Sequence, residues 1–166
     1  MPSIRHLTLG DLEHELANTR RTLERVPMDK LDWRPHAKSM TLGHLATHIA
    51  ASPFYGTHMI GNPRFDTAAP MPPAPPMPTT TADLLGLFDT NVADLMAALD
   101  GADDAKLGST WSMTHGETVL QSMPLAAALR AWVPNHLIHH RAQLGVYLRL
   151  LDVPVPGLYG PSADEP

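Results

Sequence analysis

Apolar residues recur at three- and four-residue steps in the first part of the chain, over residues 8–26. This spacing places them on one side of an α-helix, because the helix turns once every 3.6 residues. The hydroxyl of Thr8 can cap the first turn, and Pro27 cannot continue the helix. The pattern predicts a first helix whose apolar face consists of Leu9, Leu12, Leu16, Leu23 and Val26.

The same periodicity predicts a second and a third helix. Thr41 can cap the second helix, over residues 41–61, and Pro53 within it is expected to bend or interrupt it. The third helix begins at about Thr81 and is stopped by Gly101.

A fourth helix is predicted over residues 124–151. Pro124 suits a first helical turn, and the run "DVPVPG" that follows Leu151 forbids continuation. Pro134 lies inside this segment, so we expect a local distortion just ahead of His136.

The connections complete the predicted topology. Residues 68–78, "AAPMPPAPPMP", are expected to form extended polyproline II. At about 3.1 Å per residue this segment reaches roughly 34 Å, enough to let the second and third helices run parallel. Residues 110–123, "TWSMTHGETVLQSM", alternate weakly and leave room for a short hairpin. The chain is predicted to be all-α and to form one domain over residues 1–166.

Composition and charge exclude several classes of protein. The chain has 43% hydrophobic and 17% charged residues, which suits a globular domain. With 12 Lys and Arg against 17 Asp and Glu, there is no basic surface for nucleic acid. No apolar run is long enough to span a membrane, and the N-terminus lacks a signal-peptide pattern, so a cytoplasmic location is predicted.

Histidine is unusually frequent in this sequence. The chain has 10 histidines and no cysteine, so a metal would have to be held by nitrogen and oxygen ligands. Two histidine pairs have the four-residue spacing that places both rings on one face of a helix: His44 with His48, and His136 with His140. An ordinary alternative is that these are core or boundary histidines bonded to carbonyl groups or water.

Helical geometry selects three of these histidines as candidate metal ligands. His48 falls at the edge of the apolar face of its helix, whereas His44 falls toward solvent, although it stays open as a fourth ligand. His139 would join only if Pro134 distorted the helix. The predicted site is therefore His48, His136 and His140, with open positions for water or substrate. The remaining histidines are predicted to lie at the surface: His6, His14, His36, His58 and His115.

Other catalytic patterns lack their required parts. The sequence has no Gly-x-Ser-x-Gly motif, no phosphate-binding glycine loop and no His-Glu-x-x-His. It also lacks the repeated Glu-x-x-His of di-iron bundles. No residue is assigned a catalytic role from the sequence.

Two stretches resemble the DinB-like family, also called the DinB/YfiT family: "LDWRPHAKSMTLGHLATHIA" at 31–50 and "HLIHHRAQLGVYLRLLDVPVPGLYGPSADEP" at 136–166. The resemblance implies a four-helix bundle with long crossover connections, commonly a homodimer, and a divalent metal held by three histidines. By position these are His48, His136 and His140. Some members of the family are S-transferases that use low-molecular-weight thiols, and another member is a maleylpyruvate isomerase.

Two hypotheses follow from these observations. In the first, the protein is an enzyme that holds Zn²⁺, Ni²⁺ or Fe²⁺ and acts on a small molecule, with a low-molecular-weight thiol as cosubstrate. In the second, it is a non-enzymic metal-binding bundle or dimeric scaffold. A third alternative is that no metal binds. The candidate hydrogen-bond partners of the ligand rings are Gln143 and a carboxylate of the first helix, Asp11 or Glu15.

Overall fold

The computed structural model describes residues 2–70 and 75–165. Eight α-helices, a 3₁₀ turn at Met28–Lys30 and three strands are formed by these residues. In chain order they are α1 Ile4–Leu9, α2 Leu12–Leu23, α3 Leu42–Ala51, α4 Pro53–Gly61, β1 Arg64–Asp66, α5 Thr81–Asp100, α6 Asp104–Gly108, β2 Thr110–His115, β3 Thr118–Pro124, α7 Leu125–Trp132 and α8 Pro134–Leu150.

The first helical segment begins earlier than predicted and is broken. Ser3, not Thr8, caps α1, because its hydroxyl accepts a hydrogen bond from the backbone N–H of His6. The break follows at Gly10, where a Cβ atom would lie only 2.6 Å from the carbonyl oxygen of His6. Thr8 is therefore a residue of α1, and the predicted start of the first helix is wrong.

The proline breaks are confirmed. The second predicted helix is divided into α3 and α4 at Ser52, immediately before Pro53. The fourth is divided into α7 and α8 at Val133, immediately before Pro134. Each proline occupies the first turn of the new helix, where its missing N–H leaves no hydrogen bond unmade. The third predicted helix is α5, capped by Thr80.

Specific contacts give the relative directions of the long helices. The side-chain amide of Asn91 in α5 donates to the carbonyl of Ala50, and Leu95 packs farther along at Gly56. The α3–α4 segment and α5 therefore run parallel, as the long connection predicted. By contrast, α8 runs antiparallel to α3, because Tyr147 bonds to the carbonyl of Met40 while His136 lies beside His48.

A three-stranded sheet accompanies the helices, in the order β1-β2-β3. The predicted hairpin is present as antiparallel β2 and β3, and Gly116 at its turn has a φ of +57°, which favours glycine. β1 pairs in parallel with β2 and was not predicted. The expectation of a purely all-α chain is wrong, because residues 64–66, 110–115 and 118–124 pair as the strands of a sheet.

The described residues form a mostly helical fold with this small sheet at one side. The core consists mainly of leucines from α2, α3, α5, α7 and α8. Part of the predicted polyproline segment, at 71–74, lies outside the described residues. No described helix is long and apolar enough to cross a membrane. The complete four-helix-bundle geometry stays a prediction.

Candidate metal centre

Helix α3 places His48 at the boundary between core and solvent. The hydroxyl of Thr41 caps this helix by accepting from the backbone N–H of His44. Leu42, Leu45 and Ile49 are completely buried, whereas His48 beside them is half-buried. His44 is exposed, as the helical geometry predicted.

Helix α8 presents His136 and His140 one turn apart, both half-buried. The break at Val133 sets where this helix starts, so His136 lies in its first turn. The deepest side of α8 is rotated slightly from the face that carries His136 and His140. It consists of Leu137, Arg141, Leu144 and Leu148.

The fold brings all three predicted ligand residues together. The Nε2 atoms of His48 and His136 are 2.8 Å apart, although the two residues are 88 positions apart in sequence. The ring of His140 has its centroid 4.6 Å from that of His48 and 4.5 Å from that of His136. One ring nitrogen from each histidine lies within 4.8 Å of the other two.

Gln143 fixes the orientation of one of these rings. Its Oε1 lies 2.8 Å from Nδ1 of His140. An amide oxygen can only accept, so Nδ1 carries the proton and Nε2 keeps a free lone pair. The amide nitrogen of Gln143 lies 3.1 Å from Nε2 of His139, which is itself exposed. Gln143 is thus a hydrogen-bond partner of the predicted ligand His140. His139 contacts the cluster through Gln143 and through its own ring, which lies edge-on to that of His140.

Burial makes the three rings weak bases. It lowers the pKa of His136 to about 4, with smaller contributions from His140, His48 and His139. Burial also lowers the pKa of His48, and the nearby ring of His140 lowers it further by a smaller amount. It lowers the pKa of His140, although the hydrogen bond to Gln143 partly opposes this. All three side chains are therefore neutral imidazoles near pH 7, the form that binds a metal.

One nitrogen separation in the cluster matches that expected around a divalent cation. Two imidazole nitrogens bound to one ion at about 2.0–2.1 Å lie about 2.8–3.4 Å apart for bond angles between 90° and tetrahedral. The 2.8 Å separation of His48 and His136 is at the lower end of this range. Nitrogen-only ligands match Zn²⁺, Ni²⁺ and Fe²⁺ better than Mg²⁺ or Ca²⁺, which prefer oxygen. Three histidines leave further coordination positions unused.

A cavity of about 380 Å³ opens beside two of the histidines. Its wall includes His48 and His136 at one side, and His58, Trp111 and Trp132 elsewhere. His58 is half-buried here and packs edge-on to Phe65, with ring centroids 5.8 Å apart. The prediction that His58 is a surface residue is therefore wrong. Its position depends on the direction that α4 takes after Pro53, which sequence spacing does not reveal.

The other histidines occupy the predicted positions. Exposed side chains are found at His6, His14, His36 and His115. None of them belongs to a group that could hold a metal within the described part of the chain.

The predicted roles of Asp11 and Glu15 as partners of the imidazoles are wrong. Asp11 forms an ion pair with Arg130, and Glu15 forms one with Arg141 at 2.6 Å. Arg141 is 2% exposed and was not recognised from the sequence as a buried residue. The signal was present, because Arg141 continues the four- and three-residue steps of Leu137, Leu144 and Leu148.

Comparisons with known proteins agree with this fold. A sequence model described as the DinB superfamily matches residues 11–144. A crystal structure of a DinB-like protein from Bacillus cereus ATCC 10987 is similar, with a TM-score of 0.70 and 22% identity over 92% of this chain and 95% of that one. A DinB-like protein from Bacillus subtilis has a TM-score of 0.67 and 20% identity, over 93% and 99% of the two chains. No curated protein matches the sequence.

The fold and the histidine cluster thus define a mostly helical protein with a candidate three-histidine metal centre. The superfamily match covers most of the chain, including His48, His136 and His140. The chain belongs to the DinB superfamily.

Proposed function

We propose that the protein is a metal-dependent enzyme in which His48, His136 and His140 hold a divalent cation, Zn²⁺, Ni²⁺ or Fe²⁺. The observation that carries the proposal is the approach of three neutral imidazoles from α3 and α8. A cavity beside them would admit a small-molecule substrate.

The protein's own side chains prepare the site for this role. Burial keeps the rings unprotonated, so the cation does not have to displace protons at neutral pH. Gln143 holds His140 in the tautomer that directs Nε2 toward the cluster. The apolar cavity wall limits the access of water to one side of the site. When bound, the cation would supply Lewis-acid chemistry that makes a thiol or water acidic near neutral pH.

Transfer of a low-molecular-weight thiol is the specific reaction that we propose. The chain contains no cysteine, so the thiol has to arrive as a cosubstrate. Glutathione, bacillithiol and mycothiol are the candidate cosubstrates. We further propose that the protein is a single-domain homodimer that acts in the cytoplasm. It is proposed to have neither a nucleic acid nor a membrane as a partner.

Elemental analysis of the purified protein tests the metal site. We expect about one divalent ion per chain in the wild type, and loss of this ion in His136→Ala. His44→Ala is the matched control, because this exposed histidine lies one turn before His48 on α3, and the variant should retain the metal. Equal metal content in the wild type and in His136→Ala would contradict the ligand assignment.

A thiol-transfer assay tests the reaction separately. Metal-loaded protein is incubated with monochlorobimane and each of the three thiols, and the fluorescent conjugate is measured. We expect turnover that is lost after chelation and in His136→Ala. If metal binds stoichiometrically but none of the thiols is transferred, the result supports the non-enzymic scaffold instead.

A further inference from the structure

The cavity beside the histidines has a wall composed almost entirely of aromatic and apolar side chains. Five rings other than the proposed ligands border it. Two methionines and one threonine complete the wall, at Met59, Met113 and Thr67. The aromatic lining residues are Tyr55, His58, Phe65, Trp111 and Trp132.

No Asp, Glu, Lys or Arg is present among the described residues that border this cavity. A ligand charge placed there would lose part of its hydration without gaining a carboxylate, ammonium or guanidinium partner, and this disfavours its binding. Glutathione carries two carboxylates and an ammonium group, and other small thiols are likewise strongly polar. The cavity is therefore a poor environment for the body of the thiol, and it suits the other reactant.

The size of the cavity limits the ligand further. A volume of about 380 Å³ is near the lower end of the range of about 300–1,000 Å³ that is usual for small-molecule sites. It accommodates a compound of one or two aromatic rings with a short substituent.

We infer that this cavity binds the second substrate of the proposed reaction, and that this substrate is an uncharged, apolar, preferably aromatic compound. The identification of the compound as a second substrate rests on the proposed function. The preference of the cavity for such a compound does not rest on the proposed function, because it follows from the residues of the cavity wall alone.

Three probes of similar shape test the preference: 2-acetonaphthone, naphthalene and 2-naphthoate. Their binding is measured by ligand-observed NMR, with both metal-loaded and chelator-treated protein. We expect the uncharged ketone to bind at least about tenfold more tightly than the naphthoate anion in the chelator-treated protein, where no cation attracts the carboxylate. Naphthoate binding as tight as that of the ketone in this sample would overturn the inference.

A charge substitution provides an independent test of the site. Met113→Arg places a cation in the cavity wall and should reverse the preference toward naphthoate. Leu120→Arg, on an exposed position of the neighbouring strand β3, should leave it unchanged. Reversal in both variants, or in neither, would contradict the location of the site.

Failure of this inference can be separated from failure of the proposed function. If the ketone binds as expected but the protein holds no metal, only the metal-dependent enzyme is refuted. If the metal binds and a thiol is transferred but the ketone does not bind, only the identity of the cavity ligand is refuted.

Discussion

The imidazole of His136 has a much lower affinity for protons in this fold than in water. Burial lowers its pKa to about 4, and the three neighbouring histidines act in the same direction. His140 differs, because its Nδ1 donates to Gln143 and this bond favours a proton on the ring. The residue-scale result is a cluster of neutral rings in which one tautomer is held by a specific partner.

This pKa predicts a pH dependence for the metal-free protein. Between pH 6.5 and about 4 the unfolded chain protonates His136 while the folded chain does not, so the free energy of unfolding falls as the pH falls through this window. The loss should be about 1–2 kcal/mol after allowance for the half-exposed ring, and it should not increase further below about pH 4.

Urea unfolding at several pH values, with the wild type and His136→Gln, measures this contribution. The variant has no titrating ring at position 136, so its stability should fall less between pH 6.5 and 4. If both proteins lose the same free energy across this interval, the low pKa of His136 is wrong.

At the scale of elements, the two proline breaks determine how helices approach the site. After the break at Ser52, α4 packs closely against α5 and the α7–α8 junction. Gly56 permits this, because a Cβ atom there would lie 2.6 Å from Leu95 Cδ1 and 2.9 Å from Val133 Cγ2. The neighbouring turns of α4 supply cavity residues, so the position of this helix shapes the cavity.

Gly56→Ala should therefore destabilise the protein by about 1–3 kcal/mol, since the added methyl group displaces packed side chains. Gly61→Ala is a control in the same helix, because a Cβ atom there meets nothing within 4 Å. We expect the control to be neutral or slightly stabilising. Thermal unfolding followed by circular dichroism compares the two, and equal melting temperatures would contradict the close packing at Gly56.

At the scale of the whole molecule, a polar network joins the buried side chains of Glu15 in α2 and Arg141 in α8 to the exposed Tyr159 of the C-terminal segment. Arg141 donates to the Glu15 carboxylate and to the hydroxyl of Tyr159, and Tyr159 donates to Glu15 at 2.7 Å. The same C-terminal segment is held at its end by Glu165, which accepts from Arg21 and Arg25. Arg141 directly follows His140, so this network also supports the helix that carries two of the proposed ligands.

Glu15→Gln should cost about 3 kcal/mol of stability, because it leaves the buried charge of Arg141 without a counter-charge. Asp11→Asn is the matched control on the same side of the molecule, since its partner Arg130 is more exposed. The control should cost less than about 1 kcal/mol. Chemical denaturation measures the free energy of unfolding of both variants. Similar losses in the two variants would contradict the larger contribution expected of the buried Glu15–Arg141 pair.

The sequence alone determined the features that depend on neighbouring residues. Helical periodicity and proline positions identified the main helices and both breaks, and the four-residue spacing placed His136 and His140 on one face. These predictions succeeded because backbone geometry sets the relation between residues three or four positions apart. The start of the first helix was mistaken, because Ser3 and Thr8 offer the same capping chemistry.

The tertiary structure alone decided what distant residues do together. It brought His48 next to His136, buried Arg141 against Glu15, added β1 to the hairpin and turned His58 into the cavity. Each of these depends on how helices and strands pack after the breaks. That packing is determined by burial of the whole core, which no single segment encodes.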